Sequence, residues 1–274
     1  MFRKLFALLF KGKKTAENNE PNTAEKDIEK SVENPSIKQN ITTPPITTKI
    51  VSRRAADMNA ESELAEFLDE NLYSQLLGEG KFLSIERMAE KEQQLQGIDV
   101  TAKTQNSVFY IDEKAQLYYI NKNIPTFAFE LQFLKGGRVI EGWFLNDELK
   151  TDHYLLIWPF ASVTDVKELK KEDFTKLDAL MISKEKLRRE LSSLGLDKET
   201  LARRAYQLRS TRTYGKITTG IQGVYYFASD PSKYAEAPIN IVVNKARLMS
   251  LADAHYEITK AGFVRIPNTR KEKL

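Results

Sequence analysis

Two aspartates and a lysine carry the strongest chemical signal in this chain. Asp99 lies in the run Gly97-Ile98-Asp99-Val100. Asp112 and Lys114 lie in Ile111-Asp112-Glu113-Lys114-Ala115-Gln116. Side chains of a strand alternate between faces. An extended segment therefore puts Tyr110, Asp112, Lys114 and Gln116 on one face, and Phe109, Ile111, Ala115 and Leu117 on an apolar one. Charge in a segment fit for burial is costly unless it is paired or bound to metal. Two carboxylates on neighbouring strands can share a divalent ion, which polarises a phosphate and lowers the pKa of a bound water. Lys114 would orient that water or neutralise charge in the transition state, and Gln116 would position the lysine, the water or the phosphate.

These residues need strands, and a helix to cover them. Residues 61–77 carry Leu64, Phe67, Leu68 and Leu72 at helical spacing, and Gly78 and Gly80 end that helix. An extended piece over 82–87 follows, then a polar helical turn to Gln96. Strands are expected over 98–102, 108–117 and 126–133, separated by turn signals at Gln105-Asn106-Ser107, Asn121 to Asn123 and Gly136-Gly137. The apolar run 154–160 suits a strand buried on both faces. Beyond it, helices are expected over 183–194 and 198–209, strands over 224–229 and 239–244, and a closing helix over 245–256. The expected class is α/β or α+β, with a mixed sheet flanked by helices.

Composition narrows the chemistry. The 274 residues include no cysteine, which excludes disulfides, thiolate zinc sites and cysteine nucleophiles. Two histidines far apart in sequence, His153 and His255, argue against a histidine-rich centre, so a metal would be a hard ion held by carboxylates, Mg²⁺ or Mn²⁺. A net charge of +4 is compatible with nucleic-acid binding without requiring it. Residues 1–58 are polar and poor in aromatics and read as a disordered tail, with a globular domain over 59–265 and a second tail over 266–274. The basic, partly apolar segment 1–14 is too short to span a bilayer, which takes roughly 20 residues, although it could touch a membrane surface. The expected compartment is the cytoplasm.

Asp99, followed after twelve residues by Asp112-Glu113-Lys114, resembles the signature of the PD-(D/E)XK nuclease superfamily. The expected order, helix 61–77 and then strands near 98, 110 and 130, is similar to that superfamily's core. The resemblance covers roughly residues 60–160. It implies a restriction-endonuclease-like fold, Mg²⁺ or Mn²⁺ as cofactor and nucleic acid, DNA foremost, as partner, with a homodimer as one arrangement. Asp99 and Asp112 match the two acids, Lys114 the lysine, and Gln116 a glutamine often found two places beyond it. An acid on the first helix is also implied, with Glu66 preferred over Glu63, and Gln93 is a further site candidate. Two departures stand out. Ile98, not proline, precedes the first acid. Glu113 adjoins Asp112 and would replace it as ligand if the strand bulged.

Arg188, Arg189, Arg203 and Arg204 gather on the two helices after 183, where arginine forks suit phosphate. Their alternative is a solvated face paired to Glu185, Glu190 and Glu199. Glu130 is more simply an exposed strand charge than a site residue, and His153 and His255 are more simply structural. The functional expectation is a metal-dependent nuclease, foremost a DNA endonuclease. The alternatives are a catalytically inactive nucleic-acid-binding protein of the same fold and a membrane-associated structural protein.

Overall fold

The computed structural model describes residues 54–88 and 96–267, with side chains from Met58 onward. Residues 1–53 of the expected N-terminal tail, with its basic segment, Gln93 and most of the expected C-terminal tail lie outside the described residues, whereas residues 54–58, also expected as tail, are helical.

Helix α1 spans Arg54–Leu68. It runs into a π-helical turn, Asp69–Tyr73, and a short α2, Ser74–Gly78. The wider turn buries three successive residues, Asn71, Leu72 and Tyr73, which a regular helix would splay around its axis. The expected inward set, Leu64, Phe67, Leu68 and Leu72, is buried.

Seven strands form the larger sheet. They are β1 (Ser84–Arg87), β2 (Val100–Lys103), β3 (Val108–Ala115), β6 (His153–Ala161), β7 (Phe174–Ser183), β11 (Ala254–Thr259) and β12 (Gly262–Arg265), in that spatial order. β3 and β6 run parallel, and the other neighbours antiparallel. A second sheet has the order β5 (Arg138–Glu141), β4 (Thr126–Lys135), β10 (Ile239–Asn244), β9 (Val224–Ala228) and β8 (Gly215–Thr218). Helices α3 (Lys184–Ser193), α4 (Lys198–Ser210) and α5 (Lys245–Leu251) complete an α+β architecture with a mixed sheet.

β6 shows why the larger sheet lies in the middle. Tyr154, Leu156 and Trp158 pack into one core with Phe127, Phe129 and Ile241 of the second sheet. Leu155 and Ile157, on its other face, join a second core with Leu64, Phe67 and Leu72 of the helical layer. The apolar run is thus buried on both faces, as its composition required.

Three expectations change. The strand over 126–133 forms, but in the second sheet, and β6 rather than β4 lies beside β3. A parallel neighbour needs a long crossover, and residues 116–152, with the β4–β5 hairpin inside them, supply it. The closing helix stops at Leu251, and 254–259 pairs with β7 as β11. His255 is therefore a strand residue, bonded to Asp178 at 2.7 Å. The sequence pattern yields no expected strand over β7 or β12, and the start of β11 falls in the expected closing helix. The expected turn at Gly136-Gly137 closes the β4–β5 hairpin, with φ values of 58° and 76° that favour glycine.

Candidate active site

β2 and β3 pair antiparallel with Val100 opposite Ile111, and the Asp99 amide donates to the Ile111 carbonyl at 2.9 Å. That register brings Asp99 alongside Asp112. The Asp99 carboxylate accepts from the Glu113 amide at 2.7 Å, which fixes its orientation. The approach to Asp99 depends on Gly97. Its φ is +73°, and a Cβ there would lie 2.6 Å from Thr151 Oγ1. Thr151 Oγ1 itself donates to the Gly97 carbonyl.

The β3–β6 register sets the faces. Asp112 lies opposite Tyr154 and Lys114 opposite Leu156, so both point toward the core between the sheets. Asp112 is 2% exposed. Burial, opposed by Lys114 and assisted by the nearby Asp99 carboxylate, pushes its carboxyl up to about 7. Lys114 donates to Asp112 Oδ1 at 2.5 Å. Burial pulls the Lys114 amine down, but the attraction of Asp112 and then Asp99 outweighs it and holds the amine above its ordinary value. The ammonium also lies 5.3 Å from the centre of the Trp143 ring.

Glu113 has the opposite fate. It points to the helical side, where its side chain is 9% exposed. Arg87 of β1 donates to both its oxygens, at 2.8 and 3.0 Å, and the Tyr73 hydroxyl to one of them, at 2.7 Å. Arg87 also grips Asp69. Both Glu113 oxygens are committed to this network. Of the two acids in the Asp112-Glu113 pair, Asp112 is the one that faces Lys114.

The remaining candidates separate. Gln116 donates to the Thr126 carbonyl at 2.6 Å and ties the end of β3 to the start of β4. Its Oε1 is buried without a hydrogen-bond partner. Glu66 is not brought to the cluster: it pairs with Lys171 at 3.5 Å, with its side chain 60% exposed. Glu63 accepts from the Lys171 amide. The helix acid whose charge reaches Lys114 is Glu61. Glu61 precedes Leu64 by three residues and Leu68 by seven, a spacing the sequence did contain, although Glu61 is exposed, as Glu66 is.

Three further groups join the cluster. Glu130 of β4, weighed in the sequence as an exposed charge, is half-buried and within electrostatic reach of Lys114. Burial and then Glu236 push its carboxyl up to about 7. The Tyr154 hydroxyl is buried without a hydrogen-bond partner, and burial and the neighbouring Asp112 push it upward. Lys184, 8% exposed, donates to the Asn146 carbonyl. Burial and the Arg188 charge lower its amine, and Asp112 acts on it from the other side. Tyr154 and Lys184 lie far from β2 and β3 in sequence, and nothing local to them marks them as neighbours of Asp112.

The four arginines divide. Arg188 is held by Asp147 at 2.5 Å and by the Phe144 carbonyl. Arg189 lies 3.9 Å from Glu185 on an exposed face. Arg203 and Arg204 of α4 meet only neutral partners, Thr200 and Gln207, in the hydrogen bonds they form. His153 is bonded to Asp152, whose Oδ1 also accepts from the Tyr110 amide, a structural arrangement at the start of β6.

No group of three or more His, Asp or Glu side chains arranged to hold a metal occurs among the described residues. The donors at Asp99 and Asp112 instead number two carboxylates. That suits Mg²⁺, which keeps several waters and uses one or two carboxylates together with substrate phosphate. No helix of the described residues is long and apolar enough to cross a membrane. Comparison with known protein families, curated proteins and solved structures finds no match to this chain.

Proposed function

We propose that this protein is a metal-dependent nuclease that hydrolyses phosphodiester bonds, foremost in DNA. The observation that carries the reading is the convergence of Asp99, Asp112 and Lys114, with a buried Asp112 carboxyl paired directly to Lys114. Asp99 and Asp112 would hold Mg²⁺ or Mn²⁺, and the bound ion would supply Lewis acidity toward phosphate and water. Lys114 keeps its proton at neutral pH, which suits neutralising phosphate charge rather than accepting a proton. Glu130 changes protonation near neutral pH, where a carboxyl can take up a proton during turnover. Glu61 would stand at the helical margin of the same site, in the role expected of Glu66.

A second reading, a nucleic-acid-binding protein without catalysis, draws on the direct Lys114–Asp112 ion pair, which occupies a carboxylate the ion would need. The test is incubation of the full chain with plasmid and with labelled oligonucleotides, in Mg²⁺ and in EDTA. Asp99→Ala, Asp112→Ala and Lys114→Ala should each abolish cleavage without unfolding the protein. Normal cleavage by Lys114→Ala would refute the assigned roles. Binding without Mg²⁺-dependent cleavage in the unaltered protein would select the second reading.

A further inference from the structure

Helix α4 has two working stripes. Leu201, Ala205 and Leu208 are buried in the core between the sheets. Thr200, Arg203, Arg204 and Gln207 follow one another at helical spacing along a different stripe. That stripe forms one wall of a pocket of about 280 Å³, and Thr218, Thr219 and Tyr226, of β8, its following turn and β9, form the other. Leu196, ahead of α4, completes the lining, which contains no carboxylate.

The charges in this pocket differ from several other arginines among the described residues. Arg87, Arg188, Arg247 and Arg265 each meet a carboxylate within 2.8 Å. Arg203 and Arg204 have no carboxylate in their hydrogen bonds, which go to Thr200 Oγ1 and to Gln207 Oε1. Arg204 is half-buried and close enough to Tyr226 to oppose the upward pull of burial on that hydroxyl. Two adjacent guanidiniums therefore share one concavity whose lining holds no carboxylate; Asp197, which caps α4 outside the lining, is the acid that feels the Arg203 charge. Their planar forks fit phosphate oxygens in pairs, and the Leu196 and Tyr226 surfaces leave an apolar side for the rest of a nucleotide. The volume lies just below the usual range of ligand pockets, roughly 300–1,000 Å³, which suits one such unit and nothing larger.

We propose that this pocket binds the phosphate of a nucleotide unit, free or within a nucleic-acid strand, through Arg203 and Arg204. The site is built on α4 and the β8–β9 hairpin, separate from the acids on β2 and β3. Only the polymer as its source rests on the nuclease reading.

The test titrates the full chain, in EDTA, with inorganic phosphate, adenosine monophosphate and a short fluorescein-labelled oligonucleotide. The proteins compared are the unaltered chain, Arg203→Gln/Arg204→Gln, Arg203→Lys/Arg204→Lys and, as a control at an exposed arginine outside the pocket, Arg189→Gln. Melting curves check the fold. The glutamine pair should weaken binding about tenfold and lower the slope of log affinity against log salt by about one, the loss of one phosphate contact. The lysine pair, which keeps charge but loses the fork, should fall between, and Arg189→Gln should bind as the unaltered protein does. Equal binding by the glutamine pair, an equal loss in Arg189→Gln, or no binding of any probe by the unaltered chain would overturn the pocket. If the oligonucleotide is cleaved in Mg²⁺ while the glutamine pair binds it normally, the pocket falls and the nuclease reading stands. If the mononucleotide binds through these arginines and the oligonucleotide does not bind at all, the pocket stands and the nuclease reading falls.

Discussion

Replacing Arg87 by Met removes the only cation among the described residues that Glu113 touches. Glu113 is 9% exposed and Arg87 25% exposed, so the pair is largely withdrawn from water. Breaking a buried pair from one side costs about 3–5 kcal/mol, because a charge is left without compensation. The quarter exposure of Arg87 and the remaining Tyr73 hydroxyl bring the expectation down to about 3 kcal/mol. For a domain of this size that is a fall in Tm on the order of 9 °C. The sign with pH follows from the carboxyl. Burial already holds Glu113 above its ordinary value despite Arg87, and removing the guanidinium raises it further. A carboxyl raised by folding is neutral in both states at low pH and costs stability as pH rises above its unfolded value. The deficit of Arg87→Met should therefore be largest above pH 7 and shrink toward pH 4.5. Urea unfolding at both pH values measures it, and Arg87→Met/Glu113→Gln should recover most of the loss at pH 7.5. A deficit that does not change with pH, or that stays below about 1 kcal/mol, would refute the account of Glu113 as a structural acid.

Glu130→Gln should flatten the pH dependence of stability. The carboxyl rises from 4.5 to about 7 on folding, so stability falls across that interval by about 2 kcal/mol after allowance for partial exposure, as urea titrations at pH 5 and pH 8 would show. Gly97→Ala forces a left-handed φ on a residue with a Cβ and drives that atom against Thr151. It should destabilise by roughly 2–4 kcal/mol in a melting curve and slow cleavage, because it displaces the segment that carries Asp99. Glu61→Gln should lower cleavage, whereas Glu66→Gln should leave it unchanged. Equal effects in a cleavage assay would show that neither position on α1 matters to the site.

The Arg87 network also bears on how the site is held. It joins the π-helical turn, β1 and β3 through Asp69, Tyr73 and Glu113. The strand that presents Asp112 and Lys114 to one side is thereby anchored by the intervening residue on the other. Alternation along β3 makes both jobs available to three consecutive residues.

Local pattern was enough for much of this. Period-2 alternation placed Asp112 and Lys114 on one face of β3, the spacing of Leu64, Phe67, Leu68 and Leu72 determined the buried side of α1, and the unbroken apolar run of β6 implied burial on both faces. Those signals depend on neighbours a few residues away, so the chain carries them by itself. Sheet membership does not work that way. β4 reads as a strand wherever it goes, and only pairing with β10, more than a hundred residues later, put it in the second sheet rather than beside β3. The same holds for β11, whose partner β7 supplies the ladder that ends the expected helix. In the site, the sequence named Asp99, Asp112 and Lys114, but not that Glu113 would be claimed by Arg87 or that Glu130, Tyr154 and Lys184 would surround them. Those contacts arise where separate elements pack together. Burial and charge then set the protonation of each carboxyl, and neither is defined until the chain is folded.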